Sequence, residues 1–270
     1  MDTLEDRLAG FRSPVEMLRS SPTGGYAFPF PSEYTNWRDE QEAWRKSVVI
    51  FDQSFHMTDF TFEGRDVHRL ISDVGVNSMS NFGANRAKQL VACNPGGHVI
   101  GDAILFGHSE RRISVVGRPS VPNWVAYHAE TGDYDVEVTR DKRSVGNPGD
   151  RLLYRFQIQG PNAPALIKKV TDGALPDIAF FHIGDLKIAG CDVRALNHSM
   201  SRMSGLELHG PMADAERVRS ALLEAGGEFG LLQGGSRAYS TVSPESGWIP
   251  SPMPAIYSGE AMRPYRQWLP

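Results

Sequence analysis

Phe156-Gln157-Ile158-Gln159-Gly160-Pro161-Asn162-Ala163-Pro164-Ala165-Leu166-Ile167-Lys168-Lys169-Val170 is the stretch that decides the fold class. Its first four residues alternate apolar and polar, as a strand does. Gly160-Pro161 then turns the chain into a helix, with Pro at the first helical position. Ala163, Leu166, Ile167 and Val170 recur along one face of that helix. A similar unit lies earlier. His56, Thr58, Phe60 and Phe62 alternate with Met57, Asp59, Thr61 and Glu63, Gly64 turns the chain, and Val67, Leu70, Ile71 and Val74 follow at helical spacing. The echo suggests two related α+β halves.

Working outward, Thr35 or Asn36 is placed to cap a helix over residues 37–46, and Val48-Val49-Ile50-Phe51 reads as a buried strand. Residues 88–93 and 98–106 flank the turn Asn94-Pro95-Gly96-Gly97 as a hairpin. Residues 113–116 read as a strand and 122–130 as a helix. Strands follow near 186–189, 192–197 and 205–208, and a helix over 213–225. Gly226-Gly227-Glu228-Phe229-Gly230 reads as the stop of that last helix. Strands followed by isolated helices, without regular β-α alternation, predict an α+β fold of antiparallel sheets with flanking helices.

A length of 270 residues predicts about two domains. The expected division is an extended Gly- and Pro-rich lead-in over 1–36, a first α+β subdomain over 37–147, a second over 148–230, and site-lining loops over 231–270. The boundary is read from Arg143-Ser144-Val145-Gly146-Asn147-Pro148-Gly149-Asp150. With Lys+Arg at 28 against Asp+Glu at 32, the chain lacks the basic excess of a nucleic-acid binder. Cys93 and Cys191 form no CxxC pair and no zinc spacing, and eight histidines are scattered without metal-like spacing, so no metal is expected. No secretory signal or membrane-spanning run is present, and a cytoplasmic protein is the expectation. Phosphate-loop, dinucleotide, HExxH and nucleophile-elbow motifs are absent.

The polar, Gly- and Pro-rich stretches Gly234-Gly235-Ser236-Arg237-Ala238-Tyr239 and Glu245-Ser246-Gly247-Trp248-Ile249-Pro250-Ser251-Pro252 are costly to order unless their shapes are needed. Together with Phe51-Asp52-Gln53-Ser54-Phe55-His56-Met57, His98-Val99-Ile100-Gly101-Asp102, Gly117-Arg118-Pro119, Asn123-Trp124, Phe156 to Pro161 and Gly205-Leu206-Glu207-Leu208, they give the chain a resemblance over nearly its whole length. It resembles the glycine-cleavage T-protein (aminomethyltransferase) superfamily, and within it the tetrahydrofolate-dependent aryl O-demethylases of the vanillate and syringate type. The members it resembles continue into a C-terminal β-rich domain, so the chain looks like the first two domains of a three-domain architecture. Aminomethyltransferases carry two adjacent acids, the first catalytic, where this sequence has Gly101-Asp102. The cysteine motif of the iron–sulfur-assembly relatives is absent too.

The resemblance implies transfer of a methyl group from a methoxybenzoate, such as vanillate, syringate or 3-O-methylgallate, to N5 of tetrahydrofolate, in the catabolism of lignin-derived aromatics. Loss of a phenolate calls for a proton donor at the ether oxygen, and a tyrosine of pKa about 10 suits it. Tyr239 is the candidate, against a reading as loop packing. Arg118 is the candidate fork for the substrate carboxylate, against a surface arginine. His56 is a candidate to hydrogen-bond that carboxylate or the ring hydroxyl, with a satisfied core histidine as the competing reading. Tyr26 is a weaker substrate-lining candidate. For tetrahydrofolate the candidates are Glu207, facing the donor edge of the pterin, Gln159 and Trp248. A solvent-facing glutamate on an edge strand is the competing reading for Glu207. Asn77, Asp102, Asn123 and Trp124 are expected around the site without assigned roles. Two other functions remain open: a folate-binding protein without turnover, and transfer from another methyl or aminomethyl donor.

Overall fold

The computed structural model describes residues 2–20, 30–143, 151–173, 177–199, 202–247 and 257–270. In chain order the elements are α1 (Leu4–Ala9), α2 (Pro14–Ser20), α3 (Trp37–Lys46), β1 (Val48–Asp52), β2 (Thr58–Gly64), α4 (Val67–Val74), β3 (Ala87–Cys93), β4 (Val99–Ser109), β5 (Arg112–Gly117), α5 (Ser120–Thr131) and β6 (Val136–Asp141). There follow β7 (Leu153–Gln159), α6 (Ala163–Val170), β8 (Ile183–Ile188), β9 (Cys191–Asn197), β10 (Gly205–Pro211), α7 (Ala215–Gly226), β11 (Leu231–Gln233), α8 (Ser236–Ser240), α9 (Val242–Ser246) and α10 (Arg263–Trp268). Among the described residues no helix is long and apolar enough to cross a membrane.

Two sheets form, in the orders β11-β1-β7-β10-β9-β8 and β3-β4-β5-β2-β6. All pairings are antiparallel except β1 with β11. The period-two pattern of the sequence explains the layering. In β7, Tyr154, Phe156 and Ile158 point to one side, where they pack with Leu166 and Ile167 of α6 and Val218 and Leu222 of α7. In the other sheet, Phe60, Phe62, Leu105, Ile113 and Val115 pack on Leu70 and Ile71 of α4 and on Val121, Trp124 and Val125 of α5. The remaining faces of the two sheets meet each other, through Ala87, Phe106 and Val116 on one side and Ile183 and Leu196 on the other. Helices thus cover the outside of two stacked sheets.

Gly160 shows why the β7–α6 turn needs glycine. Its φ is +134°, and a Cβ there would lie 2.4 Å from the Ser47 carbonyl oxygen at the entry to β1.

Several elements depart from the sequence expectation. The lead-in carries two short helices, α1 and α2, before residues 21–29, which lie outside the described residues. The segment 144–150, where the domain boundary was expected, also lies outside them. β1, from before that boundary, pairs with β7 and β11 from after it, so the six-stranded sheet draws on both halves of the sequence. Residues 231–247 are not all loop: β11 extends the sheet and α8 carries Tyr239. Residues 257–270 are docked and not free of the domain. Tyr265 is 1% exposed in the core of the five-stranded sheet beside Trp124, and Leu4 N–H of α1 donates to Leu269 O at 3.0 Å. Burial of that aromatic ring, with Met262 and Leu269 beside it, holds the short helix against the core.

Candidate functional site

On β7 and β10 the inward face of the six-stranded sheet carries polar side chains where the outward face is apolar. Cross-strand pairing sets Phe51 of β1 opposite Gln157 of β7, and Gln157 opposite Glu207 of β10. One pleat away, Gln159 pairs with Val49 and with Gly205; on the other side Arg155 pairs with His209. Phe51, Gln157, Glu207, Gln159 and Arg155 therefore share one face.

Tyr239 stands at the Phe51 end of this row. Gly235 precedes α8 in an extended conformation, and the helix presents the Tyr239 ring 5.4 Å from the Phe51 ring, edge to face. The Tyr239 hydroxyl lies 3.2 Å from His56 Nε2 and accepts from Gln53 Nε2 at 3.3 Å. Phe30 packs edge-on against both rings, at 5.8 Å from His56 and 6.3 Å from Tyr239. His56 is 5% exposed, and burial, followed by the positive charges of Arg151, Arg118 and Arg143, holds its pKa down to about 3. It is neutral at physiological pH, so it acts as a hydrogen-bonding imidazole and does not ion-pair.

Arg118 follows β5 directly, where Gly117 pairs with Thr58, and is exposed. It brings a positive charge to the His56 end of the site together with Arg143 and Arg151. Arg151 itself is buried against Asp141, with Nε 3.1 Å from the carboxylate. This positive field favours an anionic ligand beside His56.

Glu207 lies at the other end. β10 runs between β7 and β9, so the reading of Glu207 as a solvent-facing residue on an edge strand is overturned. Its side chain is 11% exposed, and Oε1 accepts from Arg155 Nη1 at 2.7 Å. Arg155 in turn donates from Nε and Nη2 to Asp59 Oδ2, at 3.1 and 2.5 Å. The guanidinium is stacked 4.4 Å over the Phe106 ring. Gln157 Nε2 donates to His198 O at 3.4 Å, while Gln157 Oε1 and His198 Nδ1 are buried without hydrogen-bond partners among the described residues.

The structure thus brings Tyr239 and His56 into contact, sets Arg118 near His56, and puts Gln159 and Glu207 on the adjoining sheet face. Tyr26 and Trp248 lie outside the described residues. Of the four residues expected around the site, Trp124, Asn77 and Asp102 make contacts within the fold, and Asn123 lies in the first turn of α5. Trp124 is core, stacked on Tyr127 and edge-on to Tyr265. Asn77 braces β3 through Gln89 O and Val91 N–H. Asp102 accepts from Gln89 across the β3–β4 pair at 2.9 Å, and the Asn123 N–H donates to Pro119 O in the first turn of α5. Gly101 has little room for a side chain: a Cβ would meet Ser120 Oγ at 2.9 Å and Val121 Cγ2 at 3.1 Å.

Sequence reasoning missed Gln53, Phe30, Asp59 and Arg155. The signal for Arg155 was present: Arg155, Gln157 and Gln159 form a polar stripe alternating with Tyr154, Phe156 and Ile158.

The profile of the GCVT N-terminal domain matches residues 18–251 of the chain. A syringate O-demethylase from Sphingobium sp. is 44% identical over 268 residues, covering 98% of this chain and 58% of that protein. An aminomethyltransferase from Caldanaerobacter subterraneus subsp. tengcongensis is 29% identical over 228 residues, covering 83% of this chain and 58% of that protein. The chain therefore spans 58% of the length of these two curated relatives. Among solved structures, glycine cleavage system aminomethyltransferase T from Bartonella henselae superposes with a TM-score of 0.68 and 17% identity, over 87% of this chain and 62% of that one. It shares the fold of mixed helices and antiparallel sheets. On the match of its sequence to the profile, and with a fold that agrees, the chain belongs to the GCVT N-terminal domain family.

Proposed function

We propose that this chain binds a methoxybenzoate and tetrahydrofolate between its two sheets and transfers the ether methyl group to N5 of the folate. The observation that carries this reading is the Tyr239 hydroxyl, set against neutral His56 and Gln53 at one end of a polar row that ends in Glu207. The 44% identity to a syringate O-demethylase supports the same chemistry.

The residues suit the acceptor. The pterin ring presents a donor-rich amidine edge, and this face offers a carboxylate, Glu207, and a buried amide oxygen without a partner among the described residues, Gln157 Oε1. Gln159 adds a second amide. Tetrahydrofolate supplies the N5 lone pair that takes the methyl group.

The chain's own residues supply the proton and the binding. As the methyl–oxygen bond breaks, its electron pair stays on the aryl oxygen, which takes the Tyr239 hydroxyl proton to leave as a phenol. With His56 Nε2–H donating to Tyr239 Oη, the tyrosine proton is left to point at the ether oxygen, and the tyrosinate that forms is stabilised. The proton lost from N5 restores Tyr239, so no net charge is gained. Arg118 and Arg143 give the substrate carboxylate its positive surroundings. Gly101, crowded by Ser120 and Val121, stands where aminomethyltransferases carry the first of their two acids, which favours methyl over aminomethyl transfer.

The test is incubation with tetrahydrofolate and, in turn, vanillate, syringate, 3-O-methylgallate and a methoxybenzoate lacking the 4-hydroxyl. Methyl-tetrahydrofolate and demethylated phenol in equal amounts are expected from at least one. Folate binding with no product from any of them overturns the proposal in favour of a binding protein.

A further inference from the structure

Arg155 ties the two ends of the site together. Its main chain holds the segment that faces Tyr239: Gln53 N–H donates to Arg155 O at 2.8 Å, and Arg155 N–H donates to Ser54 Oγ at 3.0 Å. Its side chain, 1% exposed, leaves the six-stranded sheet and meets Asp59 of β2 in the opposite sheet. Two of its donors go to Asp59 Oδ2 and one to Glu207 Oε1. One guanidinium is therefore shared by two carboxylates, in a layer from which water is largely excluded. One guanidinium thus faces two carboxyl groups, and only Glu207 keeps any appreciable exposure.

We propose that Asp59 is a positioning residue for the folate end of the site, acting through Arg155 to fix the Glu207 carboxylate and keep it a strong acceptor. This rests on the reading that Glu207 binds tetrahydrofolate. The physical argument concerns the shared charge. Two donors on one edge of the guanidinium are engaged by Asp59 Oδ2, so Arg155 cannot turn its full donor set on Glu207. Without the Asp59 charge, the arginine and Glu207 form a neutral pair, and Glu207 attracts the donor edge of a ligand less. The two hydrogen bonds that fix the guanidinium's orientation also lose the carboxylate's charge assistance, and the placement of Glu207 weakens with them. In a layer of low effective dielectric these changes are felt more than they would be at the surface.

The experiment measures the dissociation constant of tetrahydrofolate by quenching of intrinsic fluorescence. It is run on the unmodified chain, Asp59→Asn, Glu207→Gln and the double variant, with thermal unfolding recorded for each. Asp59→Asn is expected to weaken folate binding about tenfold while affinity for the aromatic carboxylate is retained. In Glu207→Gln the same Asp59 change is expected to add nothing further, because its route to the ligand is gone. Undiminished folate affinity in Asp59→Asn, or fully additive effects in the double variant, overturns the proposal while leaving the folate reading intact. No folate binding by the unmodified chain overturns both. If Asp59→Asn does not fold, Arg155→Lys takes its place, since a single ammonium cannot serve both carboxylates with a fixed fork. Undiminished folate affinity there is the overturning result.

Discussion

Tyr239 Oη and His56 Nε2 lie 3.2 Å apart, joining the helix α8 to the segment that leads into β2. In the proposed mechanism the phenol is the acid and the imidazole, which burial keeps neutral, its orienting partner. Tyr239→Phe deletes the hydroxyl and keeps the ring against Phe51 and Phe30. Turnover is expected to fall roughly 10²–10⁴-fold with substrate affinity nearly unchanged, as for loss of a general acid. Single-turnover rates beside equilibrium binding check this, and near-normal turnover would remove Tyr239 from the mechanism.

Arg118 is exposed, so it is expected to matter for binding an anion and little for the fold. Arg118→Ala should raise KM for carboxylated substrates about 10- to 100-fold, the worth of a charge-assisted hydrogen bond. A methoxyphenol lacking the carboxylate should bind both proteins alike. If its KM rises equally, Arg118 acts on the protein and not on the carboxylate.

What the sequence made legible follows from what leaves a periodic trace. Val67, Leu70, Ile71 and Val74 lie on one apolar stripe, and α4 forms where that stripe predicts. The alternation of β2 was equally plain, but the side carrying Asp59 and Thr61 reads as solvent-facing in isolation. It is covered by a second sheet, and strand periodicity separates two faces without saying which meets water. The same limit hid the ion pairs of Arg155, whose partners are 96 and 52 positions away. Tyr239 and Glu207 are candidates through local motifs, which need no long-range partner. The core position of Trp124 left no such trace, because the ring packed against it comes from Tyr265 on a helix of six residues with no periodic run.

Buried histidines should make the protein acid-sensitive. Burial, partly opposed by Asp59 and aided by Arg112, Arg155 and Arg194, holds His108 down to about 4. The unfolded chain has an ordinary histidine pKa of about 6.5. Between these values the unfolded state binds the proton and the folded state does not, so this stability is full above pH 6.5 and declines as pH falls towards 4. From pH 7 to pH 5 the loss is about 2 kcal/mol for His108. His108→Asn removes that group while an amide remains beside Ser114 Oγ, which His108 Nε2 meets at 2.9 Å. Urea unfolding at both pH values should show the variant losing about 2 kcal/mol less than the unmodified chain. Equal losses would mean that His108 does not drive the acid response.

Glu40 holds Tyr239's helix from behind. The side chain is fully buried in α3, and its carboxylate accepts backbone N–H bonds from Tyr34 at 2.6 Å, Thr35 at 2.7 Å and Gly235 at 2.9 Å. Gly235 is the residue from which α8 starts, and residues 34–35 follow the segment that brings Phe30 over Tyr239. One buried side chain therefore anchors two segments that frame the tyrosine ring. Glu40→Gln keeps the shape but turns an amide NH2 towards a backbone N–H that needs an acceptor. The variant should lose about 2 kcal/mol of stability, within the range for a charge-assisted hydrogen bond left unmade in the interior. Turnover should drop more than substrate affinity, because Tyr239 loses its placement while Arg118 keeps its own. Urea unfolding and steady-state kinetics check the two parts separately. A destabilised variant with normal kcat would confine Glu40 to the fold, and an unchanged unfolding curve would show that its carboxylate does not anchor α8 at all.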